Sequence, residues 1–162
     1  MTKPGKIFEA EISKTLRWIE EKDPEHVYWH RLNDTEQWQS KWHKNFAYLP
    51  RQPSDFILNA FGKTFYLEAK SSHNKPSYCL DWISEKQWEA AKRITNGGGN
   101  YVFLICDRST RNQINVLCIP YCKELSIRCG QIKWKELEKY SIGKLLIFDE
   151  EMGWIELGQV LK

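Results

Sequence analysis

The chain has 162 residues, 41% of them hydrophobic, with eight Trp, seven Tyr and seven Phe. That length and composition suit one globular domain with a real core and exclude a disordered chain. No apolar run is long enough to span a bilayer, and a formal net charge of +3 leaves a nucleic-acid partner open without requiring one.

The first residues, MTKPGKIFEAE, lack the apolar core of a signal peptide, so a soluble, cytoplasmic protein is expected. The five cysteines are odd in number and form no C-x-x-C pair, which argues against a disulfide framework. Cys118, Cys122 and Cys129 are conceivable zinc ligands. Against that, Cys106 and Cys118 lie in apolar runs that read as core strands.

Residues 6–22 predict a helix. Phe8, Ile12, Thr15, Leu16 and Ile19 recur at helical spacing, and Asp23-Pro24 ends the pattern. Glu9 flanks this stripe, a position that suits a solvated edge or a group aimed at a site. Residues 26–32 read as a first strand. The connection 33–52 is long and holds Trp38, Lys41, Trp42 and Lys44. Trp38 and Trp42, four apart, would share one side of a helical turn. Such a loop either packs its rings on the sheet as a lid or offers them, with its lysines, to a partner.

Phe56-Ile57-Leu58 and residues 64–70 read as two strands of a hairpin, joined at Phe61-Gly62-Lys63. Residues 71–77 form a polar loop. Ser84-Glu85-Lys86-Gln87 matches a capping box that opens a helix with Trp88, Ala91 and Ile94 on its buried face, and Gly97-Gly98-Gly99 closes it. The nearly continuous apolar run 101–106 predicts a central strand covered on both faces. A polar turn at 107–113 and a strand at 114–119 follow, closed by Pro120. Short helices are expected beyond 121, one of them at 133–139, and 145–148 reads as a late strand or a buried anchor. No internal repeat or linker is evident. Residues 1–162 are read as a single domain with an inserted loop at about 33–52.

The hairpin carries the chemistry. Strand side chains alternate, so Glu68 and Lys70 share one face while Phe65, Leu67 and Ala69 point to a core. An antiparallel partner brings Asp55 near Glu68. Two carboxylates are hard oxygen ligands of the kind Mg²⁺ takes together with substrate phosphate. A lysine beside them suits positioning or deprotonating a water.

Pro53-Ser54-Asp55 followed by Glu68-Ala69-Lys70 resembles the PD-(D/E)XK nuclease superfamily, with a Ser between the Pro and the Asp. Glu20-Glu21-Lys22 also fits E-x-K, but it has no suitable upstream Asp and lies in a helical segment. Gly5-Lys6-Ile7-Phe8-Glu9 is similar to the G-x-x-x-E opening of RecU-type Holliday-junction resolvases. Arg51-Gln52-Pro53-Ser54-Asp55 is similar to their R-Q-x-S-T-T-D segment, without the two threonines. The resemblance spans about residues 5–106. It implies an α/β, restriction-endonuclease-like αβββαβ core with a mixed central sheet flanked by helices.

For function, the resemblance implies Mg²⁺ (or Mn²⁺)-dependent hydrolysis of DNA phosphodiesters. The DNA is expected to be branched and the enzyme a homodimer. Asp55, Glu68, Lys70, Glu9 and Gln87 are the implied catalytic set, with Asp55, Glu68, the Ala69 carbonyl and Glu9 around the metal. For Gln87, capping of the helix is a complete alternative. Trp38, Lys41, Trp42, Lys44 and Arg51 are the expected DNA contacts, since the loop takes the place of the family's protruding stalk.

Overall fold

The computed structural model describes residues 4–32, 52–60, 62–110 and 113–147. In chain order the described elements are α1 (Pro4–Lys22), β1 (Val27–Arg31), β2 (Phe56–Ala60), β3 (Lys63–Ser72), β4 (Ser77–Cys79), a 3-10 turn (Leu80–Trp82), α2 (Glu85–Asn96), β5 (Asn100–Thr110) and β6 (Gln113–Pro120). They continue with α3 (Lys123–Ser126), β7 (Gln131–Lys133), α4 (Trp134–Leu137), a second 3-10 turn (Glu138–Tyr140) and β8 (Gly143–Ile147). The loop at 33–51, with Trp38, Lys41, Trp42, Lys44 and Arg51, lies outside the described residues.

The large sheet has the spatial order β1-β2-β3-β5-β6-β8. β3 and β5 run parallel and the other neighbours antiparallel, so the sheet is mixed. Parallel neighbours need a long crossover, and the chain from β4 through α2 supplies it. The expected αβββαβ order is present, with β4 as an addition between β3 and α2.

Helical spacing and strand alternation together build a core on each face of the sheet. On one face, α1 contributes Phe8, Ile12 and Leu16, which pack with Phe56, Leu58, Phe65, Leu67, Val102 and Leu104. On the other, Trp88 and Ala91 of α2 pack with Tyr101, Phe103, Ile105, Leu117 and Ile119, and Tyr78, Leu125, Ile132 and Leu137 from the smaller elements join them. β5 is buried from Tyr101 to Cys106, as a strand covered on both faces must be.

Two expectations are corrected. The polar segment from 107 is not a turn up to 113. β5 continues to Thr110 and β6 begins at Gln113, with Asp107 across from Asn115 and a register shift before the Thr110–Gln113 pair. Arg108 is held there by Glu11 and by the Phe8 ring of α1, so polar residues extend the strand at the end of the sheet. Likewise Ser71 and Ser72 belong to β3, because β5 offers Cys106 and Asp107 as partners. One feature has no counterpart in the sequence pattern: β4 pairs with β7 in a separate two-stranded sheet.

Candidate active site

The β2–β3 hairpin is the site's frame. Its turn lies between Ala60 and Lys63, and Gly62 there has φ +74°, a conformation that side chains disfavour. The register ends with Phe56 across from Leu67, so the next step puts Asp55 across from Glu68. The Asp55 backbone N–H still donates to the Leu67 carbonyl at 3.1 Å. The Asp55 side chain then takes over from the ladder: its Oδ2 accepts from the Ala69 backbone N–H at 2.8 Å. Within a strand, the N–H and C=O of one residue point to the same side. The Ala69 carbonyl therefore faces the Asp55 edge, beyond the last rung of β2.

Ser54 explains its own place between Pro53 and Asp55. It is buried, and its hydroxyl donates to the Phe56 carbonyl at 2.9 Å, a local bond that shapes the approach to β2.

Glu68 is not part of an ordinary surface pair. Its side chain is 5% exposed and that of Lys70 20%, with Lys70 Nζ 2.9 Å from Glu68 Oε1. The Gln87 amide NH2 donates to the same oxygen. The Tyr101 hydroxyl lies 3.4 Å from Oε2. Burial, and then the charge of Asp55, raise the Glu68 pKa from 4.5 to about 7, while Lys70 and Tyr101 act in the other direction.

Gln87 serves both of its readings at once. Its Oε1 accepts from the Ser84 backbone N–H at 2.9 Å, and its own backbone N–H donates to Ser84 Oγ at 3.3 Å, closing the capping box. An amide oxygen bound to that N–H leaves the NH2 for Glu68. The cap thus aims the side chain at the carboxylate.

Glu9 is placed differently. Its carboxylate pairs with Arg31, whose guanidinium also lies over the Phe56 ring at 5.9 Å. Arg31 ends β1, and the Leu32 N–H beside it donates to the Asp55 carbonyl at 2.8 Å. Glu9 is therefore tied to the strand that flanks the site. Among the described residues no three His, Cys, Asp or Glu side chains converge as a metal-binding group. Asp55, Glu68, Ala69, Lys70 and Gln87 are brought together. Cys118 is buried and Cys129 exposed, and all five cysteines are free thiols.

Tyr101 is the residue that the sequence reading did not single out. It heads an apolar run, where its ring counts as core, and only its hydroxyl signals a polar partner. Arg31 is a second: a basic residue ending a strand gives no sequence signal of the acid it will meet.

The donor set suits a hard divalent cation. Two carboxylates face each other across the hairpin, the Ala69 carbonyl points to the same edge, and Glu68 is driven toward protonation first by burial and then by the charge opposite it. A cation between the two acids would relieve that repulsion.

No family model and no curated protein matches this chain. Among solved structures it is similar to Hjc, a Holliday junction resolvase from the archaeal hyperthermophile Archaeoglobus fulgidus. The TM-score is 0.41 and the identity 10%, over 80% of this chain and 93% of that one. Among the described residues no helix is long and apolar enough to cross a membrane.

Proposed function

We propose that this chain is a Mg²⁺ (or Mn²⁺)-dependent endodeoxyribonuclease that hydrolyses DNA phosphodiesters, with a four-way junction as its preferred substrate and a homodimer as its working form. The observation that carries the reading is the convergence of Asp55, Glu68 and Lys70 at the end of one hairpin, with Gln87 donating to Glu68. Asp55, Glu68 and the Ala69 carbonyl would hold the cation. When bound, it supplies polarisation of the scissile phosphate and a lowered pKa for water.

The protein's own groups do the rest. Lys70, pinned to Glu68, orients the attacking water and stabilises charge that develops on the phosphate. Gln87 fixes the Glu68 carboxylate, and the capping box fixes Gln87. Glu9, held by Arg31 on the flanking strand, supports the site from outside. Trp38, Lys41, Trp42, Lys44 and Arg51 supply the DNA contacts. Paired nicks across a junction need two active sites related by a two-fold axis, which is the reason for a homodimer.

The deciding experiment is cleavage with and without Mg²⁺ on four-way junction, flap, single-stranded and linear duplex DNA in parallel. Junction cleavage that needs Mg²⁺ is expected. Cleavage of linear duplex in preference would move the reading to a restriction-type enzyme. Binding without cleavage would make it a non-catalytic relative.

A further inference from the structure

Tyr101 is buried, with its ring 5.1 Å from that of Phe103. Its hydroxyl lies 2.9 Å from the Pro53 carbonyl and 3.4 Å from Glu68 Oε2. These partners belong to the two arms of the site. Pro53 is in the segment that delivers Asp55, and Glu68 is the acid opposite.

The distribution of donors on Glu68 is uneven. Oε1 takes both Lys70 and Gln87, whereas Oε2 has the longer contact to Tyr101. A hydroxyl has one hydrogen to give, and the shorter distance marks Pro53 as its acceptor. Oε2 then keeps lone pairs for a cation, with only the longer and weaker contact to the phenol upon it.

The geometry points to Tyr101 as a positioning residue that sets the separation of Asp55 and Glu68, and through it the affinity of the site for a divalent cation. This rests on the metal-dependent reading above. Tyr101 touches neither substrate nor the reacting atoms. Its hydroxyl ties the chain ahead of Asp55 to β5 and leaves Glu68 a fixed distance to span.

The test is Tyr101→Phe in the full chain, which keeps the ring and its packing. Mn²⁺ is titrated calorimetrically into wild type and variant. Affinity should fall about tenfold, the scale seen when a supporting partner of a metal ligand is removed, while cleavage at saturating Mn²⁺ changes much less. If the variant is too unstable for calorimetry, the rise in Tm on adding Mn²⁺ reports its affinity for the folded state. A tyrosine fluorinated beside its hydroxyl at position 101 should restore near wild-type affinity.

Unchanged Mn²⁺ affinity in folded Tyr101→Phe, with only Tm lowered, would overturn the proposal and leave the metal site standing. A tenfold loss in the fluorinated protein would overturn the role of the hydroxyl. A wild-type chain that binds no Mn²⁺ at millimolar concentration would overturn the functional reading itself.

Discussion

Burial and the charge of Asp55 act on Glu68 in the same direction, and pH gives that a measurable sign. Without a divalent ion the folded state holds the Glu68 proton to about pH 7, against 4.5 for the unfolded chain. The stability this contributes is full below pH 4.5, declines as pH rises, and is lost above about pH 7. The size of the decline is on the order of 3 kcal/mol. Tm measured in EDTA should therefore fall across this window for the wild type and much less for Glu68→Gln. Equal slopes would mean that Glu68 is not desolvated as described. The same residue scale governs catalysis. Asp55→Asn and Glu68→Gln keep side-chain size and remove charge, so each should lower Mg²⁺-dependent cleavage by at least about a hundredfold with fold and DNA binding retained. A wild-type rate in either variant would remove that acid from the site.

The α2 N-terminus shows an element and a site sharing one side chain. Ser84→Ala removes the cap hydroxyl and should cost about 1 kcal/mol. It spares the Ser84 backbone N–H that holds Gln87 Oε1, so cleavage should persist. Gln87→Ala breaks the box and also strips a donor from Glu68, so it should lower both Tm and the cleavage rate, the latter about tenfold. Matching rates in the two variants would reduce Gln87 to a cap. This element also marks how far the sequence was legible. Ser84 and Gln87 three apart announced the box, but the second use of the amide depends on β3 lying beside it. Asp55 and Glu68 were legible as a pair because strand alternation and the Gly62 turn fix the register. For Glu9 the sequence leaves a solvated edge or a place at the site open, and its contact with Arg31, 22 positions away, is one that no local pattern announces. The β4–β7 pairing stayed hidden because each strand has three residues and the partners are far apart in the chain.

At the scale of the molecule, the sheet separates two cores and places the site where the hairpin end meets α2, so the α1 core lies across the sheet from the Glu68 face. Two thiols report on the interior. Burial raises Cys106 and Cys118 to about 12, so they stay protonated and shielded, while Cys129 is exposed. A thiol reagent should label Cys129 at once and the two strand cysteines only at the rate of unfolding; early labelling of Cys118 would mean that β6 opens on its own. Substrate choice belongs to this largest scale too. On the proposed reading the hairpin site would supply hydrolysis but nothing that distinguishes a junction from a duplex, so discrimination would have to come from elsewhere on the chain. Trp38 and Trp42 offer stacking faces, and Lys41 and Lys44 offer charge to phosphates, both tolerant of sequence. The centre of a four-way junction exposes base faces that a linear duplex keeps stacked. Replacing both tryptophans by alanine should therefore weaken junction binding much more than duplex binding, by roughly 1–3 kcal/mol for each lost stack. Tm must be measured alongside, because rings that pack on the sheet as a lid would cost stability instead. A folded double variant with wild-type junction affinity would assign the loop to the lid and shift the substrate from a junction toward another DNA structure.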